Sequence, residues 1–227
     1  MQSSEILKRI PLFNGLTEQQ LLDLAEIISE RSFKKGENIF AEGDEGVGFY
    51  ILAEGQVKIY KLSVEGKEQI LHIFGPGEPF AEAAVFTGRS FPAYADAMQN
   101  SRAFFIPRQA FVDLIKSNPS LAMNMLGALS MRLKKFAGMI EALSLKEVPG
   151  RLASHLLLLS DQEGVNEFPL NISKSQLASL LGTIPETLSR IFNKLNGNGY
   201  IESNGPRIKI IDREGLEALA SGEEKLS

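Results

Sequence analysis

Apolar positions recur along this chain with different spacings, and each spacing predicts a different element. Thr17-x-x-Gln20 reads as a capping box, and Leu21, Leu22, Leu24, Ala25, Ile27 and Ile28 supply one apolar side, so Pro11–Glu30 opens helical. From Ser32 to about Pro107 the pattern turns to short β-rich runs separated by Gly36, Gly43, Gly46, Gly55, Gly66, Gly75, Gly77 and Gly88. The runs are Asn38–Phe40, Gly48–Leu52, Gln56–Leu62, Glu68–Phe74 and Arg102–Pro107. Short strands with turn signals every ~8–12 residues predict a sandwich or barrel. Within it, Gly77–Phe86 reads as a short helical turn or a corner of the barrel.

Asn118-Pro119-Ser120 is a helix start signal. Beyond it Leu126, Leu129, Leu133, Phe136, Ile140 and Leu143 keep alternating spacings of 3 and 4, an a/d heptad register. A helix packed only on its own domain shows a wider stripe. The spacing therefore predicts a dimer seam. Lys146–Gly150 reads as a joint and Arg151–Leu159 as the next helix.

Ser173–Ile201 predicts two short helices joined at Gly182, with Thr183 starting the second. Leu177, Leu180 and Leu181 form the buried side of the first, and Leu188, Ile191, Phe192 and Leu195 that of the second. Glu186, Ser189, Arg190 and Asn193 stand at i, i+3, i+4 and i+7, so they share the opposite side. Arginine pairs bidentately with guanine, glutamate accepts from cytosine N4, and serine serves either base type. Thr183-x-x-Glu186 is also a capping box by sequence, so Glu186 has a local role open to it. After Asn196–Gly199, Tyr200–Glu202 and Arg207–Ile211 read as a two-stranded ribbon around Asn204-Gly205-Pro206, with Arg207 and Lys209 on one side. Asp212–Ala220 predicts a short terminal helix.

Charge sharpens this reading. The chain carries a net charge of −4, yet between Pro169 and Ile211 five basic residues face two acidic ones. That is a local footprint for phosphate inside an acidic chain. The absence of cysteine excludes disulfides, cysteine-ligated zinc and iron–sulfur clusters. No apolar run reaches the ~20 residues of a membrane span, and no signal-peptide pattern opens the chain, so a cytoplasmic location is expected. No nucleophile–base pair, metal cluster or phosphate loop stands at motif spacing, so a non-enzyme is expected.

A glycine-rich β-roll, a long dimer helix and a carboxyl-terminal winged helix-turn-helix together resemble the CRP/FNR family of bacterial transcription regulators. The most specific stretches are Lys34–Gly46, Phe80–Phe86 and Ile184–Leu195. The resemblance implies an α+β chain with a cyclic-nucleotide-binding-like sensor domain (1–117), a dimerisation helix (118–145) and a DNA-binding domain (146–227). It implies that Glu186, Ser189 and Arg190 read a palindromic TTGA-type operator. Lys174, Thr183, Asn193, Lys194, Arg207 and Lys209 are the expected backbone contacts. Double-stranded DNA, a second copy of the chain, a small-molecule or gas effector and RNA polymerase are the implied partners. The Phe80–Phe86 run and Ser144-Leu145-Lys146 look closest to the DNR and HcpR type, haem-using regulators of nitrosative-stress and denitrification genes.

The expected effector pocket comprises Phe80, Ala81, Glu82, Ala83, Phe91 and Pro92. Cyclic-nucleotide binders of the family carry a glutamate for the ribose, matched by Glu82, and an Arg-Ser pair for the cyclic phosphate. Phe91 and Pro92 stand where that pair is expected, with Arg89-Ser90 adjacent. A phenyl ring and an imino acid cannot replace a guanidinium and a hydroxyl before an anion. Haem is the leading cofactor expectation, with His72 or His155 as its ligand, and an unidentified small effector stands beside it. A cyclic-nucleotide-responsive regulator and a winged-helix protein-interaction module without DNA readout are the alternatives.

Overall fold

The structure is a computed structural model that describes residues 7–8, 10–88 and 90–226. The chain divides into two compact units, Met1–Lys134 and Lys135–Ser227.

Among the described residues the first unit contains a 3₁₀ turn at Pro11–Phe13 and helix α1, Glu18–Ile27. The Thr17–Gln20 capping box forms in both directions and sets the start of α1. Eight strands follow: β1 (Ser29–Phe33), β2 (Asn38–Phe40), β3 (Gly48–Glu54), β4 (Val57–Leu62), β5 (Glu68–Phe74), β6 (Pro79–Phe80), β7 (Tyr94–Ala97) and β8 (Ser101–Pro107). Helix α2, Glu82–Thr87, interrupts them after β6, and α3, Arg108–Ser117, follows β8. The strands pair into two antiparallel sheets of four, in the orders β1-β8-β3-β6 and β2-β7-β4-β5. Phe40, Leu52, Val57, Phe74, Phe80, Phe91 and Ala95 bring side chains of both sheets into one apolar cluster. The glycine-punctuated runs predict a sandwich or barrel, and the family resemblance a β-roll; the two packed sheets form the latter.

Three strands depart from the expected pattern. Strand β6 lies in Gly77–Phe86, read as a helical turn or corner, where Pro79 and Phe80 pair with β3 before α2 begins. The other two are β1 and β7. The sequence pattern places Ser29–Phe33 at the end of the opening helix and on the loop after it, and Tyr94–Ala97 carries no strong apolar run. Both are held by ladder hydrogen bonds, β1 in register with β8 and β7 with β4. The middle three residues of β1 are exposed, so no hydrophobic alternation marks it.

Helix α4 spans Ser120–Leu145, close to the expected 118–145. Leu121 and Met125 are buried in the core of the first unit, with Leu129 packed on its edge. Leu126, Leu133 and Ile140 are 55%, 70% and 65% exposed.

The second unit contains the last part of α4, then α5 (Val148–Glu163), β9 (Glu167–Pro169), α6 (Lys174–Leu180), α7 (Pro185–Gly197), β10 (Ile201–Asn204), β11 (Arg207–Ile210) and α8 (Arg213–Ser221). The ribbon gains a third strand, in the order β10-β11-β9. The joint is shorter than its sequence suggests. Helix α5 begins at Val148 with Glu147 as N-cap, so Pro149 and Gly150 lie inside its first turn. Proline is tolerated there because its missing N–H would have no intrahelical partner. Gly150 is there because α8 passes close: a Cβ would stand 2.8 Å from the Leu219 carbonyl oxygen. Gly150→Ala is therefore expected to destabilise the second unit by about 1–3 kcal/mol, read as a lower urea midpoint for its unfolding at unchanged slope.

Candidate functional site

The polar side of α7 is built from its buried side outward. Leu188, Ile191, Phe192 and Leu195 fill the second unit's core together with Leu177 and Ala178 of α6 and Ile208 of β11. Helix α6 is fixed at its start by a reciprocal cap, Ser173 Oγ accepting from Gln176 N at 3.2 Å and Gln176 Oε1 accepting from Ser173 N at 2.8 Å. Gly182 turns the chain at φ +67°, a conformation that glycine adopts without strain. With one face of α7 anchored in this way, the opposite row is left to solvent. Glu186, Arg190 and Asn193 are exposed, and Ser189 is half-buried between them.

The cap alternative for Glu186 does not form. The N-cap of α7 is Ile184 rather than Thr183, it has no side-chain cap hydrogen bond, and Pro185 takes the first helical position. Glu186 therefore lies free in the first turn, where the helix dipole favours a carboxylate. Arg190 Nη2 donates to Thr187 Oγ1 at 3.1 Å, a contact to its own helix.

The expected backbone contacts lie on α6, the turn, α7 and β11. Lys174, Asn193, Lys194, Arg207 and Lys209 are exposed, and Thr183 is half-buried at the turn. The Lys174 ammonium sits 5.0 Å from the centroid of the Phe192 ring, which holds it beside α7. Arg207 and Lys209 alternate with buried Ile208 and Ile210 on β11 and so share one side. Arg207 also meets Glu167 of β9 at 3.2 Å, a pair exposed enough to exchange for a phosphate at little cost.

In the first unit the expected pocket residues separate. Phe80 and Phe91 belong to the apolar core, Phe91 stacking on Phe40 with centroids 4.0 Å apart and Phe80 on Tyr50 at 5.1 Å. Phe91, Ala83 and Pro92 line an open pocket of about 370 Å³ with Glu42, Gly43, Thr87 and Ser90, and Glu82 is not among its lining residues. Arg89 lies outside the described residues. Ala81 stands at φ +69° before α2, a left-handed conformation that costs a non-glycine residue about 1–2 kcal/mol and turns the chain into Glu82.

Glu82 is 5% exposed. Its Oε1 accepts from Arg132 Nη1 of α4, whose Nη2 donates to the Pro79 carbonyl at 2.6 Å. The guanidinium also lies 4.6 Å from the centroid of the Phe74 ring. Glu82 Oε2 is buried with no hydrogen-bond partner. One carboxylate oxygen is thus satisfied by the long helix and the other is left as an acceptor. Arg132 was missed by sequence reasoning, because it is one of three neighbouring cations, with Lys134 and Lys135, and nothing in the sequence sets it apart from them.

The two histidines are placed differently. His72 Nε2 lies 3.8 Å from Glu78 Oε1, and its ring meets Phe74 edge-on at 4.5 Å. His155 lies on α5, where burial pushes its pKa down to about 4. It is neutral at physiological pH and belongs to the winged unit, not the roll. A haem on His155 would sit in the winged unit, and one on His72 beside Glu78 and Phe74 on the β-roll. Among the described residues no group of three or more His, Cys, Asp or Glu is placed to hold a metal ion, and no helix is long and apolar enough to cross a membrane.

Comparison with known proteins agrees with this geometry. Residues 30–118 match the cyclic nucleotide-binding domain and residues 150–219 the Crp-like helix-turn-helix domain. A cyclic AMP receptor protein of Thermus thermophilus is 31% identical over 217 residues, which cover 95% of this chain and 99% of the relative. The fumarate and nitrate reduction regulatory protein of Salmonella typhimurium is 31% identical over 211 residues, 90% of this chain and 84% of the relative. The crystal structure of a CRP/FNR family transcriptional regulator, also from Thermus thermophilus, matches with a TM-score of 0.67 at 27% identity, covering 85% of this chain and 98% of that one. Likeness of this extent across both units means that the chain belongs to the CRP/FNR family of DNA-binding transcription regulators.

Proposed function

We propose that two copies of this chain bind a palindromic double-stranded operator with TTGA-type half-sites, each copy placing α7 in a major groove. The observation that carries this reading is the accessible row Glu186, Ser189, Arg190 on a helix whose other side is locked into the core. Arg190 pairs with guanine and Glu186 accepts from cytosine, while the surrounding lysines and Arg207 take the phosphates. Leu126, Leu133 and Ile140 supply the seam between copies, joined by Leu129, Phe136 and Leu143 at the d positions of the same register. Two-fold pairing sets the reading helices one DNA turn apart. A contact with RNA polymerase completes the regulator.

A small effector in the roll sets operator affinity by changing how α4 is seated. Its route is Glu82. The free Oε2 accepts from a ligand hydroxyl or amide, and a ligand that takes Oε1 as well competes with Arg132. Only the difference in its affinity for the two seatings shifts the balance. A role in nitrosative or redox stress belongs to this reading through the likeness of Phe80–Phe86 and Ser144–Lys146 to the DNR and HcpR type. A cyclic nucleotide is the second reading, favoured by Glu82 and by the likeness to the Thermus cyclic AMP receptor protein. Calorimetric titration with cyclic AMP separates the two, since only the second predicts saturable heat.

Replacing Arg190 by alanine is expected to weaken binding to the palindromic operator by about 1–3 kcal/mol and to erase the preference for guanine at one position per half-site. Fluorescence anisotropy against operators varied base by base reads both effects. An unchanged affinity and base preference would remove Arg190 as a reader. Arg132→Met leaves Glu82 buried without its cation and is expected to cost the first unit about 3–5 kcal/mol. Thermal unfolding of Arg132→Met beside the double variant Arg132→Met/Glu82→Gln checks it, the double variant recovering most of the loss.

A further inference from the structure

The start of α7 breaks two local rules at one residue. Ile184 is the N-cap, a position where Ser, Thr, Asp and Asn are strongly preferred and isoleucine ranks at the bottom, and no side chain caps the helix. The Ile184 side chain is also 49% exposed, although Leu188, one turn on, is fully buried. Neither choice stabilises the second unit. Local rules broken without a compensating gain mark functional positions. Ile184 precedes Glu186 by two residues, at the leading end of the row already assigned to base reading, with exposed Pro185 between them.

Resting on that reading, we infer that Ile184 determines specificity by packing on the C5-methyl group of a thymine in the half-site. The methyl of thymine is the one apolar group that base pairs present in the major groove, and apolar side chains are its ordinary partners. The residues at the start of a recognition helix are those that reach base edges. Pro185 fixes the backbone immediately after Ile184 and so limits the directions its side chain can take. Glu186 and Arg190 read polar edges, and Ile184 adds the apolar mark that distinguishes thymine from cytosine at the neighbouring position.

Deoxyuridine differs from thymidine only by that methyl. Operators carrying deoxyuridine at one thymine position of both half-sites, tested position by position, are titrated with the full-length dimer by fluorescence anisotropy. At one position the native chain is expected to bind the deoxyuridine operator about fourfold more weakly per half-site. Ile184→Ala is expected to shrink that ratio below about twofold, whereas Ile184→Val, which keeps both γ-carbons, retains most of it. Circular dichroism confirms that both variants are folded. The inference is overturned if thymine and deoxyuridine operators bind the native chain equally at every position, or if Ile184→Ala keeps the full ratio. If the native chain discriminates no operator from unrelated DNA, base reading by α7 fails first and this contact with it.

Discussion

Helix α4 has more apolar surface than one chain can cover, and the rest of the account depends on that constraint. Leu121 and Met125 go into the core of the first unit, which fixes the orientation of the helix there. The same orientation turns Leu126, Leu133 and Ile140 outward. The helix is 26 residues long and carries these exposed positions at heptad spacing, the pattern on which the proposed seam rests. In the proposed dimer a second copy of the chain covers this column in register, and a twofold pair of reading helices follows from it.

The Glu82–Arg132 pair ties this helix to the sensor domain through charge. Two ions taken out of water are stable only while both are present, so the pair resists any loosening of α4 from the roll. It leaves one carboxylate oxygen without a donor. A buried acceptor in that condition is a stored cost that a ligand with a suitable hydrogen can relieve. In the proposed mechanism, sensing and helix placement share this one carboxylate. Ala81 adds to this economy of position, since its left-handed backbone aims Glu82 inward.

Much of this was legible in the sequence because periodicity and capping are local. The strand Glu68–Phe74, the cap at Thr17, the buried and polar sides of α7 and the alternation in β11 all follow from spacing alone. Less local features were not legible. Strand β1 is held by its neighbour and lacks an apolar alternation of its own. Gly150 reads as a hinge until α8 is seen against it. Phe91 stacks on Phe40, a partner 51 positions away, while lining an open pocket with Pro92 and Ala83. Arg132 meets Glu82 across a separation of 50 residues, which no window on the sequence spans. Ile184 falls within a family motif, but its exposure appears only when the core that excludes it is known.

The claim at the centre of the account is that two α7 helices enter successive major grooves on one face of a duplex. Hydroxyl-radical footprinting of the purified chain on a palindromic TTGA-containing duplex, with the stoichiometry measured by light scattering, tests it directly. Two chains per duplex and two protected segments about one helical turn apart are predicted. One chain per duplex, a single protected segment or uniform protection along the DNA would contradict it.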